Sequence, residues 1–215
     1  LGVLYPSISK IKDNKQILRK SFLEVSQVVF TIYSFVVLLG FLFSEKAVNV
    51  ILGEKWSDLA PMIPIFLLLS LFFALGSTGG HYLQALGHTK LLFKIVIFTS
   101  ALTIISFIVG LNWGILGVAL GYLFSTTILF FIASYNSLKI LRINIRDYIP
   151  IFVKETGVLI LSAMFIKLMF SIIIIESDFY YLLIGILFAL TIQFLYHYLN
   201  MTLFYKVSRT LIKYR

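Results

Sequence analysis

A few polar residues stand in or beside long apolar sequence, where they could meet a charged or sugar-bearing ligand: Lys167, His81, Gln84 and Lys94. Lys167 lies about 12 Å from the outer end of its apolar run at 1.5 Å per residue. An ammonium there is costly unless paired or hydrated, so it either snorkels to the interface, the plainer reading, or faces a water-filled interior. His81 and Gln84 are one helical turn apart and, with His88 and Lys94, could meet a phosphate. Ordinary solvation at an interface is the plainer account of that set. Gln193, His197 and Asn200 form a stripe at i, i+4 and i+7, which interhelical hydrogen bonding explains. Cysteine is absent and the three histidines lack metal-ligand spacing, so disulfides and thiolate metal sites are excluded. No catalytic residue, metal or cofactor is called for.

The elements that position these residues are membrane helices. Sixty per cent (60%) of residues are apolar and only 13% charged, with a mean hydropathy of +1.01, far from the composition of a soluble domain. A hydrocarbon core about 30 Å thick needs roughly 20 mostly apolar residues per helix. Runs of that kind occupy 25–43, 60–80, 91–111, 114–133, 151–175 and 179–204, which predicts an all-α bundle of about six spans. Barrel strands would alternate apolar and polar residues, whereas FLLLSLFFAL is apolar on every side.

Every lysine and arginine except Lys46, Lys55 and Lys167 falls before the first run, at alternate junctions or in the tail. The opposite junctions carry Glu45, Glu54, Asp58, Glu176 and Asp178, and Trp56, Trp113, Tyr180 and Tyr181 anchor them. Basic loops stay cytoplasmic, so both ends are expected on that side. The net charge of +9 is then mainly a topology signal, and with no soluble domain nucleic acid is excluded as a partner.

The chain opens at Leu1 with a short apolar stub, LGVLYPSISK, read as the end of a helix whose earlier part is missing. Pro6 would break it, and Ser7 or Ser9 could cap a helix through Lys10 to Lys20. Ile8, Ile11, Ile17, Leu18 and Phe22 give that helix an apolar face opposite its basic one, suited to the inner leaflet or to an ordinary loop helix. In LGEKWSDLAPMIPIF, Gly53 can end a helix, Pro61 falls in the first turn of the next, and Pro64 is placed to bend that start. Gly114, Gly117 and Gly121 share a helix, the last two making a small-xxx-small pair for close packing. Gly76, Gly79 and Gly80, with Ser77 and Thr78, are expected to interrupt the second span, as a hinge, a cavity wall or a close contact.

Taken in order, YPSISK, the basic linker, LGEKWSDLAPMIPIF, HYLQALGHTKLLFK and GLNWGILGVALGY resemble the carboxy-terminal half of a Wzx-type polysaccharide flippase. More narrowly, they resemble the colanic-acid-exporter type of lipopolysaccharide biosynthesis protein, within the multidrug/oligosaccharidyl-lipid/polysaccharide exporter superfamily. The resemblance covers about residues 1–150; the last two runs match only in being hydrophobic. It departs at His88, where many relatives carry arginine.

The resemblance implies a second lobe of a two-lobed fold in the bacterial inner membrane. A missing amino-terminal lobe would complete it, and alternating access would flip a polyprenyl-pyrophosphate-linked oligosaccharide, an O-antigen, capsule or exopolysaccharide unit. Membrane lipid and the assembly machinery, a polysaccharide polymerase and its companions, are the partners it implies. The expected layout is 1–24 truncated helix and linker, 25–136 four-helix lobe, 137–150 cytoplasmic loop, 151–204 trailing helices and 205–215 basic tail. A cation-coupled antiporter of the same superfamily would carry an acid inside a span, whereas each acid here is expected at a junction or a span end such as Glu155. A membrane-embedded polymerase or glycosyltransferase would need larger outer loops or paired carboxylates.

Overall fold

The structure, a computed structural model, describes Ile8, Ile11, 14–172 and 177–199. The expectations for Pro6, Ser7, Ser9, Glu176, Asn200, the side chain of His197 and the tail at 205–215 lie outside these residues. Among those described, six long helices follow one another: α1 (Lys15–Ile51), α2 (Met62–Ala85), α3 (Thr89–Gly110), α4 (Gly114–Leu141), α5 (Ile145–Ile172) and α6 (Asp178–Leu199). Short 3-10 turns occupy Glu54–Leu59 and Leu111–Trp113. By length and composition five helical stretches are fit to cross a membrane, and the longest, the 53-residue Thr89–Leu141, is α3 and α4 folded back on each other. The chain is an all-α polytopic membrane bundle.

Packing arranges the helices as a row. α4 lies between α3 and α2, α2 packs on α1, and α5 and α6 both pack on α1, while α2 and α3 scarcely touch. Three apolar clusters hold the row together. Ile8, Ile11, Leu18 and Phe22 meet Tyr82, Leu138, Leu141 and Tyr148 at the basic end. Phe30 and Val37 meet Leu71, Leu75 and Phe130 midway. Phe43 meets Ile166, Leu182 and Ala189 toward the opposite end. The outward faces stay apolar, with Ile104, Ile108, Leu161 and Met164 among many exposed side chains; such surface belongs in hydrocarbon or against another apolar surface.

Several helix ends differ from the expected ones. α1 absorbs much of the linker: Asn14 caps it by accepting the Ile17 N–H at 3.1 Å, and its 37 residues run about 55 Å. Its first apolar face does not lie on a leaflet, because Leu18 and Phe22 are buried against α2, α4 and α5. The loop expected at 137–150 shrinks to 142–144, since α4 persists to Leu141 and α5 starts at Ile145, where the Asn144 side chain accepts the Arg146 N–H. The glycine-rich stretch does not interrupt α2, which runs unbroken through 76–80. Pro61 caps α2 and Pro64 is its third residue, within the turn whose N–H groups have no helical acceptor, so the missing donor costs the helix nothing. Gly53 ends α1 at φ 89° and Gly114 opens α4 at φ 66°, conformations that disfavour a side chain.

Candidate functional site

At the basic end the helix termini present cations to the surroundings. Arg19 turns inward and donates from Nε to the Leu141 carbonyl at 2.6 Å, covering one of the acceptors left open where α4 stops. Arg142, the left-handed residue that ends α4 at φ 52°, is exposed, as are Lys139 and Arg146. Across the same end the α2–α3 turn exposes Gln84, His88, Lys90 and Lys94.

Beside the α4–α5 turn lies a cavity of about 650 Å³ walled by Phe130, Phe131, Tyr135, Tyr148 and Phe152, with Phe30 and Phe72 also in its lining. Its rings lock together: Phe30 meets Phe152 edge-on at 4.8 Å, Tyr148 meets Phe152 at 4.8 Å, and Phe22 stacks on Tyr148 at 5.7 Å. Below the Phe22 ring, Ser21 Oγ and the Tyr82 hydroxyl share a buried hydrogen bond of 2.7 Å.

The residues singled out from sequence are spread over three places. His81 is half-buried, its Nε2 3.4 Å from Ser77 Oγ on the same helix. Gln84 and Lys94 are exposed, and among the described residues no hydrogen bond or ion pair joins His81, Gln84 and Lys94. Lys167 is exposed less than two turns before α5 ends, far from the basic end. The glycines stand at helix crossings. A Cβ on Gly76 would lie 3.4 Å from the Phe130 backbone, one on Gly79 2.9 Å from Ser137 Oγ, and one on Gly80 3.4 Å from Leu92. Gly117 meets the Gly110 carbonyl, and a Cβ on Gly121 would lie 2.6 Å from the Ser106 carbonyl, whereas Gly114 has open space.

One polar group is not where it was expected. Glu155 is no span-end acid: it is 1% exposed, about 15 Å along α5 from Ile145, and accepts a hydrogen bond from Gln27 Nε2 of α1 at 3.3 Å. The apolar run was expected to open at 151, which put Glu155 near a helix end, whereas α5 carries Pro150 inside itself and starts more than a turn earlier, at Ile145.

Comparison with known proteins points one way. A family model described as "Polysaccharide biosynthesis protein" matches residues 2–61. Lipopolysaccharide biosynthesis protein WzxC of Escherichia coli (strain K12) is 31% identical over 150 residues, covering 68% of this chain and 30% of that protein. An uncharacterized membrane protein in the cps region of Klebsiella pneumoniae is 30% identical over 158 residues, covering 70% of this chain and 31% of the other. The chain therefore spans about a third of the length of these relatives. No solved structure matches. With its apolar helices and the order of its motifs, the chain is similar over two thirds of its length to membrane proteins of polysaccharide biosynthesis, WzxC among them.

Proposed function

We propose that this chain forms one lobe of a transporter, not an enzyme, that flips a polyprenyl-pyrophosphate-linked oligosaccharide across the bacterial inner membrane. The observation that carries this reading is the similarity to WzxC, a lipopolysaccharide biosynthesis protein, over two thirds of the chain. Two lobes rock about a central cavity, the glycan passes through it, and the polyprenyl tail stays in the bilayer. The exposed cations Lys90, Lys94, Lys139, Arg142 and Arg146 share the basic end. In this reading that end is cytoplasmic and receives the pyrophosphate, with Gln84 and His81 on the adjoining helix as polar contacts. Lys167 serves near the other face, where the glycan leaves.

Glu155 favours a second reading, a cation-coupled antiporter of the same superfamily, because a carboxylate inside a span is what such a carrier requires. Both readings are transport, and cargo separates them. In a strain deleted for the gene, lipid-linked repeat units should build up on the inner leaflet while surface glycan disappears. Unchanged surface glycan would overturn the flippase reading. The absence of cysteine gives a clean topology test. Asn112→Cys should react with an impermeant thiol reagent on intact spheroplasts, and Asn144→Cys only after permeabilisation; the reverse pattern would invert the orientation.

A further inference from the structure

We propose that the cleft between α4 and α5 holds one acyl chain of a resident anionic phospholipid, whose phosphate sits on Arg142 and Arg146 at the mouth. α4 and α5 follow each other with only 142–144 between them, yet beyond the turn their backbones scarcely touch. Rings reach across the gap instead, Phe130 to Phe152 at 6.4 Å. This gap is the cavity of about 650 Å³, and its wall is apolar apart from Ser134, Thr156 and two phenol hydroxyls. Phe30 and Leu75 in that wall are buried, whereas Phe131, Tyr135, Ile145 and Ile149 are exposed, so the cleft opens outward among side chains that belong in hydrocarbon. Left empty, it would cost its lining the dispersion contacts that a chain inside supplies. With a methylene taken as no larger than a water, at ~30 Å³, the space holds about twenty of them. That is room for one acyl chain, and for only a fraction of a long polyprenyl tail.

Charge at the mouth selects the headgroup. The lining of both helices runs straight into cations: Lys139 follows Leu138, Arg142 stands one turn beyond it, and Arg146 follows Ile145. All three are exposed, and none is in an ion pair; the pairs among the described residues are Lys20–Glu24 and Lys46–Asp178. Asp147 does not neutralise the mouth. At about 100° per residue it stands roughly 200° round α5 from Ile145, away from the lined stripe of Ile145, Ile149, Phe152 and Thr156. The turn itself is held: the Arg142 N–H donates to the Lys139 carbonyl at 3.2 Å and the Ile143 N–H to the Leu138 carbonyl at 2.9 Å. Arg19 closes the Leu141 carbonyl beside them. Two guanidinium forks on a fixed backbone suit a phosphate, and basic pockets between helices are where anionic headgroups bind. Lys90 and Lys94, on the α2–α3 turn and outside this lining, remain for the cargo.

Native mass spectrometry of the full protein in detergent tests this, with phosphatidylglycerol and phosphatidylethanolamine of the same acyl chains as probes. Phosphatidylglycerol should bind the tighter, by about fivefold for each arginine. Arg142→Gln with Arg146→Gln should abolish the preference. Lys90→Gln with Lys94→Gln, which removes the same charge from the same end, should keep it. Ile149→Trp, filling the cleft from its exposed rim, should weaken both lipids alike, and Ile160→Trp, exposed on α5 outside the lining, should weaken neither. In native membranes a phosphatidylglycerol with a diazirine in its acyl chain should cross-link to 130–138 and 145–156. Equal affinity for the two lipids, a preference that outlasts both arginines, or cross-links confined to other segments overturns the proposal. Displacement of phosphatidylglycerol by an equal concentration of polyprenyl phosphate also overturns it, and gives the cleft to the carrier lipid. None of these readouts involves glycan, so failure of the export test leaves the lipid site standing, and its own failure leaves the cargo open.

Discussion

The α3–α4 pair and the seam joining α1 to α5 and α6 are both helix contacts in a membrane, yet they are made of different matter. Between α3 and α4 the backbones approach so closely that a Cβ on Gly117 would collide with the Gly110 carbonyl and one on Gly121 would lie 2.6 Å from the Ser106 carbonyl. Lipid tails are as apolar as leucine, so close approach of this kind is what binds helices there. Along the seam the contact is made by large rings and polar side chains: Phe43 against Phe170 and Tyr181, Glu155 with Gln27, Lys46 with Asp178. Backbone in van der Waals contact has one arrangement, whereas rings and hydrogen-bonding side chains have several rotamers in which to meet. The α3–α4 pair is thus fit to move as a body, and the seam is where relative motion is cheapest.

The largest effect should come from crowding the glycine contact. Gly117→Leu places a side chain where the Gly110 carbonyl and Trp113 Cβ already stand, and neither is a flexible tip that can yield. The variant should fail to run as a single species on fluorescence-detected gel filtration in detergent. Gly157→Ala, with nothing within 4 Å of the added Cβ, should match the parent or gain about 0.5 kcal/mol of helix stability. A Gly117→Leu chain as well behaved as Gly157→Ala would erase the distinction between the two regions.

Next in size is Phe43→Ala at the seam. Phe43 is 4% exposed and touches rings on both trailing helices. Its truncation leaves a cavity worth about 3 kcal/mol, seen as a lower Tm in detergent. The α3–α4 pair should keep its packing, so cross-linking between cysteines placed on those two helices should be unchanged. Loss of that cross-link would mean the bundle unfolds as one unit and the seam has no independence.

How much of this was readable beforehand follows the physics of each signal. The membrane helices were legible because about twenty apolar residues in a row admit few other meanings, and Gly117 and Gly121 were legible because their spacing lies on one helix. Their partners, Gly110 for the first and Ser106 for the second, were not, since pairing across helices leaves no trace in local periodicity. Helix ends failed where α1 and α5 continue into polar sequence: hydrophobicity marks where a helix enters lipid, not where it stops. The same error hid Glu155, because moving the start of α5 from 151 to Ile145 changes a span-end acid into one more than two turns deep. Gln27 had no signal of its own, and only Glu155 beside it gives it meaning.

The smallest effect sharpens the contrast most. Lys46 Nζ and Asp178 Oδ1 are 2.6 Å apart, the shortest ion pair among the described residues, and on distance alone they would be taken as the fastening of α6 to α1. Both side chains, 40% and 32% exposed, still reach solvent, and an accessible pair gives back most of its Coulomb attraction in lost hydration, side-chain entropy and screening. Phe170 and Tyr181 stack at 3.9 Å beside it, with Lys46 5.9 Å from the Tyr181 centroid, so the rings remain when the charge is gone. Lys46→Met should lower Tm far less than Phe43→Ala, and the difference from the parent should shrink further in high salt. If Lys46→Met instead falls as far as Phe43→Ala and salt weakens the parent to match, the seam is fastened by charge. Its freedom would then depend on ionic strength, and rotamer exchange among the rings would no longer account for it.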